Sequence, residues 1–160
     1  MDQKEIKRIL LGIGVDTFNR FQVFLSISSE LKGKNYWIAL RLAYTDSDNL
    51  FKFRHLLKHS FLSCEPGREY LMNKRERAYL QNLPDLIPIY RAMTVKEFKS
   101  GEFGVSWTLK KDIAEFFIKY FRNVDTKRFP KKIHQLTIKK SDVVAYINNR
   151  KEFEIIYLHP

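Results

Sequence analysis

The sequence predicts an α+β fold, with a helical lobe over residues 1–82 packed on a small split, mixed β-sheet within residues 83–160. Two observations carry this. Before Leu83-Pro84 the apolar residues recur at helical spacing; after it they gather in short runs rich in Ile, Val, Tyr and Phe, bounded by turn residues. A third sets the scale: 160 residues with 44% hydrophobic composition make one compact domain with a real core, both parts included.

In the front half, Asp46 and Ser47 are placed to cap a helix over residues 48–61, where Leu50, Phe53, Leu56 and Leu57 share a face. Helices are also expected near residues 6–11, 18–31, 36–44 and 70–80. In the second half, strands are expected over residues 87–92, 103–108, 133–138, 143–147 and 153–158. Two helices interrupt them. Thr94 and Glu97 have capping-box spacing for a short one that ends at Gly101. The other follows Thr108, which is placed as its N-cap, with Asp112 in the first turn and Ala114, Phe117, Tyr120 and Phe121 on the buried face.

The opening residues carry Asp2, Lys4, Glu5, Lys7 and Arg8, unlike a secretory signal, and no apolar stretch reaches membrane-spanning length. The expectation is a cytoplasmic, monomeric protein with no membrane association. Cys64 is the single cysteine, so neither an intrachain disulfide nor a multi-cysteine metal site is expected. His55 and His59 have helical i,i+4 spacing, yet no Glu of a metalloprotease lies between them and no third ligand is evident. The net charge of +11 is spread over both halves and favours anionic partners.

Three features could carry chemistry. Arg91 ends an apolar run with Tyr90, where a guanidinium needs an anion: a phosphate, or a surface carboxylate. Ser106 and Thr108 flank Trp107 on a strand running into a helix, a polar and aromatic lining suited to a nucleotide. Glu152 and Glu154 open an apolar strand at i,i+2, on one side of it: a solvent-facing pair, or two carboxylates in a cleft.

In this order the three resemble the ADP-ribosyltransferase family of the Arg–Ser–Glu, cholera-toxin-like type, over about residues 87–160. The departures are Trp107, where Thr is commoner, Ala92 in place of a frequent Gly, and a short interval between Arg91 and Ser106. The resemblance implies a mono-ADP-ribosyltransferase that uses NAD and no metal. It implies that Glu154 stabilises the sugar cation, that Ser106 holds Glu154, and that Glu152 aligns the acceptor. It further implies that Arg91 binds the cofactor phosphates beside Tyr90, Trp107 and Thr108, and that Asn149 and Arg150 lie in a target-recognition turn.

The acceptor stays open between protein, RNA and DNA, as does the setting: toxin, phage effector or regulator. Two rival readings stand beside transfer. One is NAD hydrolysis with water as acceptor. The other is a non-catalytic nucleic-acid-binding protein, for which Arg122, Lys127, Arg128, Lys131, Lys132, Lys139 and Lys140, with Phe129 and His134, form a basic stretch facing only Asp125.

Overall fold

A computed structural model describes residues 1–48, 50–120 and 130–160. The protein is α+β, in two compact units, Met1–Asn73 and Lys74–Pro160.

The first unit is helical. Helix α1 (Gln3–Leu10) starts where the Asp2 carboxylate accepts the Glu5 N–H at 2.8 Å, and it buries Ile6 and Leu10, four apart on one face. Helices α2 (Arg20–Ile27), α3 (Lys34–Thr45) and α4 (Arg54–Phe61) follow. They bury Phe21, Phe24, Tyr36, Trp37, Leu40 and Phe61. Gly33 enters α3 at φ +55°, and its N–H donates to Glu65 at 2.6 Å, which holds that carboxyl below its ordinary range.

The helix expected over residues 48–61 is not continuous. Asp46 and Ser47 do not cap it; both belong to the end of α3, where the Ser47 hydroxyl donates to the Ala43 carbonyl at 2.5 Å and the Asp46 N–H to Leu42. The chain then makes a 3-10 turn (Leu50–Phe53) before α4, and Leu57 is buried while Leu56 is largely exposed.

The second unit opens with α5 (Lys74–Gln81), a helix the composition change at Leu83-Pro84 assigns to the front lobe. Its attachments explain the earlier boundary. Glu76 accepts the Asn148 N–H at 2.9 Å, Tyr79 stacks on Tyr146 at 4.5 Å, and Lys140 donates to the carbonyls of Gln81 and Leu83 at the helix's end.

Then come β1 (Leu86–Thr94), α6 (Val95–Ser100), β2 (Ser106–Thr108), α7 (Lys111–Tyr120), β3 (Lys131–Lys139), β4 (Val143–Ile147) and β5 (Glu154–Tyr157). The five strands form one sheet in the order β3-β1-β2-β5-β4, every pairing antiparallel. A split sheet of mixed direction is therefore not what forms. The short link from β4 to β5 returns the chain beside itself, and β3 runs in the direction of β2 without pairing to it. Ile87, Ile89, Trp107, Ile138, Ala145, Tyr146, Ile155 and Ile156 make the core of this unit.

Ala114 of α7 is buried, while the expected contribution of Phe121 lies outside the described residues, as do Arg122, Asp125, Lys127, Arg128 and Phe129 of the basic stretch. Among the described residues no helix is long and apolar enough to cross a membrane.

Candidate active site

Strand register decides which side chains can meet. Thr108 of β2 lies opposite Tyr90 on β1 and opposite Glu154 on β5, and Glu154 lies opposite Ile147 on β4. Tyr90, Thr108 and Glu154 therefore form one row on one face, with Ser106 two residues along β2 on the same face. There the Ser106 hydroxyl donates a short hydrogen bond to Glu154 Oε1. Glu154 is only 4% exposed, so its carboxylate is held largely out of water.

Arg91 belongs to the other face, in the alternating series Ile87, Ile89, Met93 that builds the core. A charge there needs compensation, and two groups provide it. Arg91 Nε donates to Glu97 Oε1 at 2.8 Å, and Nη1 to the Ser106 carbonyl at 2.7 Å. The register between β1 and β2 is a single pair, Tyr90 with Thr108; past it the guanidinium takes up the Ser106 carbonyl. The carboxylate Arg91 meets is thus buried, and not the surface partner the sequence left open.

Arg91, Ser106 and Glu154 are joined through one residue: guanidinium to the Ser106 carbonyl, Ser106 hydroxyl to Glu154. Gly104 makes room for this. A Cβ there would come within 2.4 Å of Arg91 Nη2, and its N–H donates to Glu97 Oε1 at 3.0 Å.

Thr108 is buried in the row, though not as an N-cap. Helix α7 begins three residues later; the Thr108 hydroxyl accepts the Lys110 N–H at 3.1 Å and donates to the Glu152 carbonyl at 2.8 Å. Tyr90 is half-buried on the same face. Trp107, expected at the cofactor, is 2% exposed on the face that carries Arg91, packed among Phe103, His134 and Tyr157. Burial pushes the His134 imidazole below its ordinary 6.5, helped by the nearby charges of Lys132 and His159.

Glu152 departs from the strand alternation that placed it beside Glu154. Strand β5 begins only at Glu154, and Phe153 is left-handed at φ +49°. The two carboxylates take different partners: Glu154 has Ser106, whereas Glu152 Oε2 lies 3.1 Å from Arg150 Nη2, a half-exposed pair. The turn carrying Asn149, Arg150 and Glu152 is pinned at both ends. The Asn148 side chain accepts the Phe153 N–H at 3.0 Å, Glu76 holds the Asn148 N–H, and the Leu109 N–H donates to Phe153. Lys151, at φ +59°, is the turn's second left-handed residue.

Glu97, Gly104 and Glu76 support the site without having a role there in the sequence reading, and Asn148, expected in the target-recognition turn, instead holds that turn in place. Glu97 has capping-box spacing, and its N–H does donate to Thr94 Oγ1 at 3.0 Å; its carboxylate, though, is on Arg91. The signal for it is the apolar-strand Arg91 itself, which requires an acid nearby. A groove of about 470 Å³ lies elsewhere, lined by Leu80, Asp85, Leu86, Lys139 and Lys140 among others, and holds none of these residues. Among the described residues no group of three His, Cys, Asp or Glu side chains is placed to hold a metal. No family model, curated protein or solved structure matches the chain, so the likeness to the Arg–Ser–Glu enzymes rests on these residues alone.

Proposed function

We propose that this protein is an ADP-ribosyltransferase of the Arg–Ser–Glu type, moving ADP-ribose from NAD to a macromolecular acceptor. The observation that carries the proposal is the buried Glu154 carboxylate fixed by Ser106, whose own carbonyl is held by Arg91. Three motifs separate in sequence converge on the Ser106 peptide, in the chain order that the resemblance implies.

The chemistry follows from the positions. The bond between nicotinamide and C1″ of its ribose breaks, and nicotinamide leaves neutral with the bonding pair. Positive charge develops on the sugar. A carboxylate already oriented and shielded from water stabilises that charge without reorganising, which is where electrostatic catalysis acts most strongly. Glu154 meets that description, and Ser106 fixes its direction. Arg91, reaching from the opposite face to the Ser106 carbonyl, supplies the positive charge for the pyrophosphate, and Tyr90 and Thr108 line the same face as Glu154.

The acceptor nucleophile then bonds to C1″ and gives up its proton, for which Glu152 is the base. An exposed ion pair is worth only about 0–1 kcal/mol, so an incoming group displaces Arg150 from Glu152 at little cost. Transfer, rather than hydrolysis alone, is favoured by this second carboxylate on its pinned turn.

The test is incubation with NAD labelled on the adenylate and a cell lysate. Label is expected in a protease-sensitive or a nuclease-sensitive fraction, which also separates protein from nucleic-acid acceptors. Release of nicotinamide with all label remaining as free ADP-ribose would replace transfer by hydrolysis.

A further inference from the structure

We infer that Glu97 is a positioning residue for NAD, acting through Arg91; the inference rests on the ADP-ribosyltransferase reading above. Glu97 is 7% exposed, and one carboxylate oxygen, Oε1, accepts from both Arg91 Nε at 2.8 Å and the Gly104 N–H at 3.0 Å. Its backbone is fixed as well. The N–H donates to Thr94 Oγ1 at 3.0 Å, and the carbonyl accepts the Ser100 hydroxyl at 2.9 Å, so α6 presents the carboxylate from a locked turn.

The consequence is a guanidinium whose plane is set before any ligand arrives. Nε is tied to Glu97 and Nη1 to the Ser106 carbonyl, while Gly104 leaves the space in which the group lies. An arginine free to rotate must lose side-chain freedom when it binds an anion; this one has already lost it to Glu97 and Ser106. The same contacts couple Arg91 to the backbone of the residue that holds Glu154, so cofactor charge and catalytic carboxylate share one frame.

Charge and positioning make opposite demands, and that makes the role testable. Glu97 partly neutralises Arg91. Were charge alone important, removing the carboxylate would strengthen attraction for a pyrophosphate; if position matters, removal weakens binding.

The experiment measures KM for NAD and kcat for nicotinamide release in the wild type, Glu97→Gln, Arg91→Ala and the Arg91→Ala/Glu97→Gln double variant, with a melting curve for each. Glu97→Gln is expected to raise KM about 10-fold, the scale of one charge-assisted hydrogen bond, with kcat within about 3-fold of wild type. The double variant is expected to match Arg91→Ala in KM, because Glu97 has nothing left to position. An unchanged or lowered KM in folded Glu97→Gln, or a further KM increase in the double variant over Arg91→Ala, overturns the inference. Should Glu97→Gln or Arg91→Ala fail to fold, the double variant decides, since removing both charges leaves no uncompensated buried ion, and a wild-type KM for NAD in it overturns the inference. A wild type that releases no nicotinamide ends the transferase reading and this inference together. An active wild type with losses that add ends this inference alone.

Discussion

Glu152 and Glu154 are two residues apart and chemically identical, yet their surroundings give them separate work. Glu154 sits in the sheet, buried and bonded to Ser106; Glu152 sits on a turn, half-exposed and paired with Arg150. If Glu152 serves the acceptor, Glu152→Gln is expected to suppress transfer while nicotinamide release persists, measured on the same samples. Equal loss of both would assign Glu152 to NAD cleavage instead. Arg91 is the other residue whose two duties can be separated. Arg91→Lys keeps a charge but loses the planar fork that holds Glu97 and the Ser106 carbonyl in fixed directions. Calorimetry is expected to show NAD affinity reduced about 10-fold or more in Arg91→Lys, on the scale of a lost charged hydrogen bond. Unchanged affinity would return Arg91 to a purely structural pair with Glu97.

Among the elements, a hydrogen bond from the Asn148 N–H to the buried Glu76 couples α5 to the β4–β5 turn. The Tyr146 hydroxyl beside them is pushed up to about 12 by burial, with Tyr79 and Glu76 adding to it. Glu76→Ala is expected to cost about 1–3 kcal/mol by stranding that N–H, seen as a melting temperature lower by about 2–4 °C per kcal/mol. A melt within a degree of wild type would mean the turn holds itself.

The elements also show what the sequence could reveal. All five strands were legible from β-branched and aromatic runs, because each buries a face against neighbours of the same kind. The α4 region was not: Ser47 bonds back into α3, a tertiary choice that local spacing cannot display. The two units divide before α5, whereas composition changes after it, because composition marks where strands begin and not which unit a helix joins. At the site, Arg91 and the Glu152–Glu154 pair are legible as charges beside apolar runs, whereas Ser106 is marked by the resemblance. Their connection through the Ser106 carbonyl was not legible, since it depends on β1 and β2 parting after a single registered pair. Trp107 is expected at the cofactor because a polar and aromatic strand suits a nucleotide, and nothing local announces that its ring is buried among Phe103, His134 and Tyr157. Glu152 was expected to face the way Glu154 does because nothing local announces a left-handed Phe153.

For the whole molecule, charge and pH act together. Burial holds the His134 imidazole below 6.5 within a cluster of Phe98, Phe103, Trp107 and His159 rings. With the folded value depressed, the unfolded chain binds the proton more readily. The contribution is fully present above pH 6.5 and is lost as pH falls through the lower folded value. Denaturant midpoints are expected to fall between about pH 7 and 5, and to fall less in His134→Phe. Parallel slopes in the two proteins would remove His134 from that dependence. The net charge of +11 sets the conditions for acceptor assays, because any nucleic-acid acceptor will bind more weakly as salt rises. Of the basic stretch, Lys131 and Lys132 are half-buried on β3, with Lys132 lying 3.5 Å over the Phe98 ring, so part of that charge is committed within the fold.

The central claim is that a buried Glu154, held by Ser106, stabilises a ribosyl cation. Nicotinamide released from NAD, quantified by mass spectrometry for wild type and Glu154→Gln in parallel, tests it most directly. The substitution preserves shape and leaves a hydrogen-bonding oxygen for Ser106 while removing the negative charge. The account expects steady release by wild type and a loss of at least about 100-fold in a variant with the same melting behaviour. A folded Glu154→Gln that releases nicotinamide at the wild-type rate, or a wild type that releases none, would contradict it.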